Sequence, residues 1–306
     1  MDLSVVVPTL NARDRLEATL DALEAHAPDV ELVVVNGPSA DGTSGMVREH
    51  DAPDLLLELS ERNLNAARNA GIAAADGEVI ALVGQDSRIE EGWVDAITAP
   101  IESGADAVTG PIHREVNGGV TTQSVETRTI GSREVTYFDG GNVALTKGAL
   151  DALDGFDEYL HTGAARDAAH RLAGMERSVA WDPDAAVLRD EEDDIFHRVG
   201  ADDETTVIGL KYRSLAYRLA KNYGLRLGVV YRLAKHGIVE GISSLWEVLR
   251  GQLSPSQWIS SGRAVSTNSV MGVQDGLAAR VADRSPRRNP NGVSSRMNRP
   301  VARYDL

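Results

Sequence analysis

The sequence predicts an α/β fold: a sheet with helices on both faces, followed by amphipathic helices toward the carboxyl end. Two observations carry this. In the first 100 residues short apolar runs alternate with longer amphipathic ones. Strand, helix, strand in that rhythm requires parallel crossovers.

Leu3–Val7 reads as a buried strand ended by Pro8. Arg13–Ala25 sets Leu16, Leu20 and Leu23 on one helical face. Glu31–Val35 is a second strand, Gly42–His50 begins a helix, and Asp54–Leu59 is a third strand. Asn65–Ala75 is helical and Val79–Val83 is a fourth strand. Ala107–Val108, Val120–Gln123 and Asn142–Leu145 read as shorter strands. Residues 148–175 return to helix, Val179–Leu188 to strand, and Thr205–Arg250 to helix. After Gly251 the chain is rich in Ser, Gly, Asn and Arg, which predicts a disordered tail. The expected division is a domain over 1–204, a basic helical segment over 205–251 and that tail over 252–306.

The net charge of −15 averages two unlike parts. Residues 1–204 hold 15 Lys and Arg against 41 Asp and Glu, and residues 205–306 hold 16 against 5. Only four of the 31 basic residues are lysine. An acidic, lysine-poor body is what a salt-rich cytoplasm favours. With no cysteine, disulfides, thiol catalysis and cysteine-held metals are excluded. No run approaches the roughly 20 apolar residues of a membrane span. The amino terminus, Met1-Asp2-Leu3-Ser4, has no basic region or cleavage site, so the expected location is the cytoplasm.

In open α/β sheets ligands bind at the carboxyl ends of the strands. Those ends are Pro8-Thr9-Leu10-Asn11, Asn36-Gly37-Pro38-Ser39 and Gly84-Gln85-Asp86. Further pieces follow in order: Asp41-Gly42-Thr43, Glu61-Arg62-Asn63, Ala67-Arg68-Asn69-Ala70-Gly71, Gly141-Asn142-Val143-Ala144 and Gly155-Phe156-Asp157-Glu158. Together, over about residues 3–190, they resemble the family 2 glycosyltransferases of the GT-A fold, among them haloarchaeal enzymes of surface-layer protein N-glycosylation.

The resemblance implies a Rossmann-like mixed sheet that binds a nucleotide-sugar and passes the sugar, with inversion, to an acceptor hydroxyl. It places Pro8, Thr9, Asn11 and Ser39 around the nucleotide, with Asn36 where the family usually has a base-binding aspartate. Asp41 matches the family turn and reads better as a cap than as a ligand. Arg68 would face the diphosphate. In the family's Asp-X-Asp signature the first acid is Gly84 here, and the second, the ligand of a divalent Mg or Mn ion, is Asp86. The base position of the acceptor motif is Ala165, which leaves Asp167 as candidate base and His161 and His170 as alternatives. Gly141 and Asn142 would border the acceptor. Trp93 and Trp181 read as core aromatics rather than sugar platforms. Arg189 fills a slot where relatives often carry a metal- or phosphate-binding histidine. It either touches the diphosphate or pairs with the acids of 190–194.

Between Thr205 and Val239 there are seven basic residues and no acid. Lys211, Ser214, Arg218 and Lys221 share one helical face, and Ile242, Leu245, Trp246 and Leu249 form an apolar stripe. A basic amphipathic helix with interfacial aromatics suits an anionic membrane surface, and packing on the acidic body would also explain its sign. The expected partners are therefore a nucleotide-sugar, a polyprenyl- or dolichyl-phosphate-linked glycan and the cytoplasmic face of a membrane, with no nucleic acid. Two alternatives stay open: a dolichyl-phosphate sugar synthase, and a non-catalytic scaffold of a glycan-assembly complex.

Overall fold

A computed structural model describes residues 1–116, 119–189, 204–226, 254–295 and 300–306, with isolated positions between 228 and 250. The chain divides into two compact units. The first holds residues 1–159, 164–192 and 291–306, and the second holds 160–163 and 193–290.

The first unit is built on an eight-stranded mixed sheet. Its centre is four parallel strands: β1 (Leu3–Thr9), β2 (Glu31–Asn36), β3 (Leu55–Glu58) and β4 (Val79–Val83). They are linked by α1 (Arg13–His26), α2 (Thr43–Glu49) and α3 (Leu64–Ala74). After β5 (Ser87–Ile89) and α4 (Trp93–Glu102), β6 (Ala107–Thr109) joins the large sheet. The short strands β7 (Ile112–Val116), β8 (Gly119–Thr122), β9 (Glu126–Ile130) and β10 (Arg133–Tyr137) lie outside it. Strand β11 (Asn142–Thr146) inserts antiparallel between β4 and β6. Helices α5 (Lys147–Leu153) and α6 (Ala164–Gly174) follow, then β12 (Val179–Trp181) beside β6 and β13 (Val187–Arg189). Strands β5, β13, β7 and β8 make a second sheet, and β9 with β10 a hairpin.

Helices on both faces follow from the alternation within β1. Val5 and Val7 point into a core shared with Leu16, Leu20 and Leu23 of α1. Val6 points the other way, against α3, where a Cβ added at Gly71 would lie 2.2 Å from Val6 Cγ1. The expected strands 1–4 and their helices appear within a residue or two of their predicted bounds. The helix expected over 148–175 is broken by residues 154–163, and the strand over 179–188 is two short ones.

The tail differs most from expectation. Residues 255–282 form a helix, and β14 (Ala302–Asp305) closes the large sheet antiparallel to β3. On the way back, Ser294 donates from N and Oγ to Asp154, and Asn291 Nδ2 donates to Asp157 Oδ1 at 3.1 Å.

In the second unit α7 (Glu204–Tyr223) packs on α8 (Pro255–Ala282). Cβ atoms at Gly272 and Gly276 would lie 2.3 and 2.4 Å from the Arg213 and Tyr217 carbonyl oxygens, so the backbones touch through glycines. Arg213 pairs with Asp275 at 2.8 Å, and Arg280 Nη1 donates to the carbonyls of Lys221 and Asn222. The basic face predicted for a membrane is thus partly spent inside this pair, at Lys221. Lys221 is fully buried with its ammonium over the Tyr217 ring, and Ser214 is buried, while Lys211 is exposed. Arg226 and Lys235 are exposed as well, while Arg232 and most of 242–249 lie outside the described residues. Among the described residues no helix is long and apolar enough to cross a membrane. Gly272→Val should separate α7 from α8 and expose residues 204–223 and 255–282 to limited proteolysis, with the sheet's protected fragments unchanged.

Candidate functional site

At the carboxyl edge of the parallel strands, Thr9 of β1 lies in register with Asn36 of β2. The two loops that leave these residues hold each other. Asn11, at φ +48°, accepts from Ala40 N and donates its own N–H to Ser39 Oγ, each at 2.8 Å. Ser39 Oγ donates to Asn36 Oδ1 at 2.7 Å, and Asn36 Nδ2 donates to Ser44 Oγ at 2.8 Å. Asn36 is 2% exposed. Its amide therefore braces the loop instead of standing open for a base, a correction to the sequence expectation. Asp41 is a cap, accepting from the Thr43 N–H and hydroxyl and from Arg13 N. Pro8 is buried in β1, and the buried Thr9 hydroxyl has no hydrogen-bond partner among the described residues.

Beside these loops β4 and β11 meet at paired glycines, Gly84 N donating to the Gly141 carbonyl at 3.0 Å. Around them lies a charged cluster. Arg189, the last residue of β13 and 3% exposed, donates from Nε and Nη2 to Ser87 Oγ at 3.1 and 3.0 Å. Its guanidinium lies 3.4 Å from Asp86 Oδ1 and 3.2 Å from Asp139 Oδ1. On the other side Arg68 of α3, half-buried, approaches so closely that a Cβ at Gly140 would lie 2.6 Å from its Nη2. Asn65 Oδ1 accepts from Arg68 Nη1 at 2.9 Å, and the Arg68 guanidinium carbon lies 5.4 Å from the Phe156 ring centroid. The Asp139-Gly140-Gly141 turn thus sits between two arginines, with Gly141 N donating to Asp139 Oδ1 at 2.8 Å.

Burial opposes the charge on Asp139, but Arg189, the Gly141 N–H and Arg68 outweigh it and lower its pKa from 3.8 to about 2. Asp139 is consequently a counter-ion and not a base. A pKa depressed in the folded state contributes stability above the ordinary value, lost as pH falls through the folded one. The stability advantage of wild type over Asp139→Asn should therefore hold above about pH 4 and shrink between pH 3.8 and about 2, read as the difference in melting temperature. Sequence reasoning missed Asp139. The signal was an acid before two glycines, visible only once Arg68 and Arg189 converge on it.

Two other expectations change. Asp167 is fully buried and accepts from Arg171 Nε at 2.8 Å, while Arg171 also donates to the Leu153 and Gly155 carbonyls. So enclosed, Asp167 serves as the counter-ion of Arg171. His170 is 1% exposed against Tyr137, and His161 is exposed in the loop before α6. Asn142 is 1% exposed and structural, its Nδ2 donating to the Pro111 and Ala185 carbonyls and its Oδ1 accepting from Trp93 Nε1. Trp93 is fully buried, as predicted for a core aromatic, and Trp181 is half-buried in β12.

The residues present do not suit a resident divalent ion at Asp86. The signature offers one carboxylate and Gly84 offers none; that carboxylate and the neighbouring Asp139 are both already paired with Arg189. Asp21, Glu24 and His50 do bring three ligand atoms together. They lie at the ends of α1 and α2, hence at the opposite edge of the parallel strands. A cavity of about 490 Å³ beside β5 and β13 is lined by Glu90, Glu91, Asp95, Asp182 and Asp184 with His113. Its charge suits no anionic donor.

Residues 4–156, half of the chain, match glycosyl transferase family 2. Glycosyltransferase AglE of Haloferax volcanii is 26% identical over 136 residues, covering 42% of this chain and 45% of AglE. Glycosyltransferase GlyA of Streptococcus pneumoniae is 31% identical over 113 residues, covering 35% of this chain and 16% of GlyA. The matches thus span less than half of these curated relatives. The mannosyltransferase PcManGT of Pyrobaculum calidifontis, solved in complex with GDP-Man and Mn2+, superposes with a TM-score of 0.56 at 17% identity, over 92% of this chain and 88% of that one. TarS of S. aureus superposes with a TM-score of 0.51 at 19% identity, over 91% and 55%. The mixed sheet, the order of its motifs and these likenesses agree: the chain is a GT-A-fold protein and belongs to glycosyl transferase family 2.

Proposed function

We propose that this protein is an inverting glycosyltransferase that binds a nucleoside-diphosphate sugar at the carboxyl edge of β1, β2 and β4. The observation that carries the proposal is the pair of guanidiniums, Arg68 and Arg189, gathered around the Asp139 turn at that edge. An acceptor oxygen bonds to the anomeric carbon as the bond from that carbon to the diphosphate oxygen breaks, and a hydroxyl acceptor gives up its proton to solvent or to the leaving diphosphate. Charge then grows on the leaving diphosphate, and fixed positive groups there stabilise the transition state more than the ground state. Incubation with a panel of nucleotide-sugars, followed by detection of released nucleoside diphosphate, tests the reading. Wild type should release it from one donor, and Arg68→Ala should lower that rate by about 10²-fold. Equal rates in the two proteins would refute it.

The acceptor we favour is a polyprenyl-linked glycan at the cytoplasmic face of a membrane, in archaeal protein N-glycosylation. The acidic, lysine-poor composition and the match to a Haloferax volcanii transferase support it. The enclosure of Asp167 favours a second reading, in which the acceptor is dolichyl phosphate. A phosphate oxygen is already anionic and needs no base. Offering dolichyl phosphate and a dolichyl-linked oligosaccharide side by side, with products weighed by mass, separates the two.

A further inference from the structure

We propose that the Arg189–Arg68 pair, locked around Asp139, takes the place of a divalent ion, so that this transferase binds the diphosphate of its donor without metal. The inference rests on the donor-binding reading above.

Three observations carry it. First, the space is already filled. A Cβ at Gly84 would lie 2.7 Å from Ser87 Oγ, 2.9 Å from Asp86 Oδ1 and 3.4 Å from Arg189 Nη2. A Cβ at Gly141 would lie 2.9 Å from the same nitrogen. The missing side chain at 84 therefore makes room for this arrangement, since a side chain at 84 would force Ser87 Oγ and Asp86 Oδ1 to shift and would press on Arg189. Second, Arg189 is held by rigid structure. It lies in β13, in register with Ser87 of β5 on one side and Arg114 of β7 on the other. Third, the two acids already have a guanidinium partner: a divalent ion would have to displace Arg189 to reach Asp86 and Asp139, whereas a diphosphate meets guanidiniums that are already in place. Arg68, at the half-exposed rim, makes the contact. Arg189, beneath it, is a positioning residue that supplies charge and holds Asp139.

The test uses the full chain in high salt. Calorimetric titration with UDP, GDP and dTDP is run with chelator and with Mn2+, and Mn2+ alone is followed by electron paramagnetic resonance. The expected result is binding of one nucleoside diphosphate with an affinity that changes less than about twofold between the two conditions, and no tight Mn2+ site. Arg189→Ala should bind it about tenfold more weakly in chelator, and should gain a Mn2+ signal as Asp86 and Asp139 lose their cation. A residue with only a structural role would not create a metal site. Arg189→Lys should keep metal-free binding, and it covers the case in which the alanine variant does not fold. Wild-type binding that requires Mn2+, or an alanine variant that binds as well as wild type in chelator, overturns the proposal. Binding of no nucleoside diphosphate under either condition overturns the donor-binding reading itself and this proposal with it.

Discussion

Replacing Arg171 with alanine is expected to destabilise the chain by about 3–5 kcal/mol, because it leaves the Asp167 carboxylate buried without its cation. Both side chains have no exposed surface, and the guanidinium also serves the carbonyls of Leu153 and Gly155, where α5 ends. The denaturant midpoint measures the loss. Truncating Asp167 should cost a comparable amount. A double replacement by apolar residues of similar volume, Asp167→Leu with Arg171→Met, should recover most of it. This series also separates structure from catalysis at Asp167. A catalytic base changed to asparagine loses about 10²–10⁴-fold in rate with the fold intact. Here Asp167→Asn should lower stability and leave the rate per folded molecule nearly unchanged.

The second large effect is expected at Gly71. Its Cβ would lie 2.2 Å from Val6 Cγ1 and 3.1 Å from Val35 Cγ2, so Gly71→Val must push α3 off the sheet at a cost of about 3 kcal/mol. Two other helical glycines provide the control. Cβ atoms at Gly45 and Gly148 meet nothing within 4 Å, and neither has a positive φ. Alanine at those positions should stabilise the chain by up to about 1 kcal/mol. Thermal melts of the three variants would give one large loss and two small gains.

Strands β1 to β4 were legible because buried parallel strands are apolar runs closed by Pro8, Asn36-Gly37 and Gly84. Arg68 and Arg189 were singled out by their places in the motifs. Their shared counter-ion was not, because Asp139 meets them only through tertiary contact. Asp167 was misread although its true partner, Arg171, stands four residues on, at ordinary helical ion-pair spacing. Asn36 and Asn142 were read as ligand contacts because an amide serves either purpose, and only their hydrogen bonds tell the two apart. The tail was misread on composition. Glycine and serine ordinarily signal chain freedom, yet Gly272 and Gly276 are small because two helix backbones meet there.

Strand β14 has a consequence for how the protein is made. Its partner β3 emerges about 245 residues earlier, so the outer edge of β3 stays unpaired until synthesis has passed residue 305. Pairing across so large a sequence separation forms slowly, and an open edge bearing Leu55, Leu56 and Leu57 invites pairing with a neighbouring nascent chain. Closure of the sheet at β3 therefore waits on residues far along the chain, and until they arrive this edge is open to aggregation.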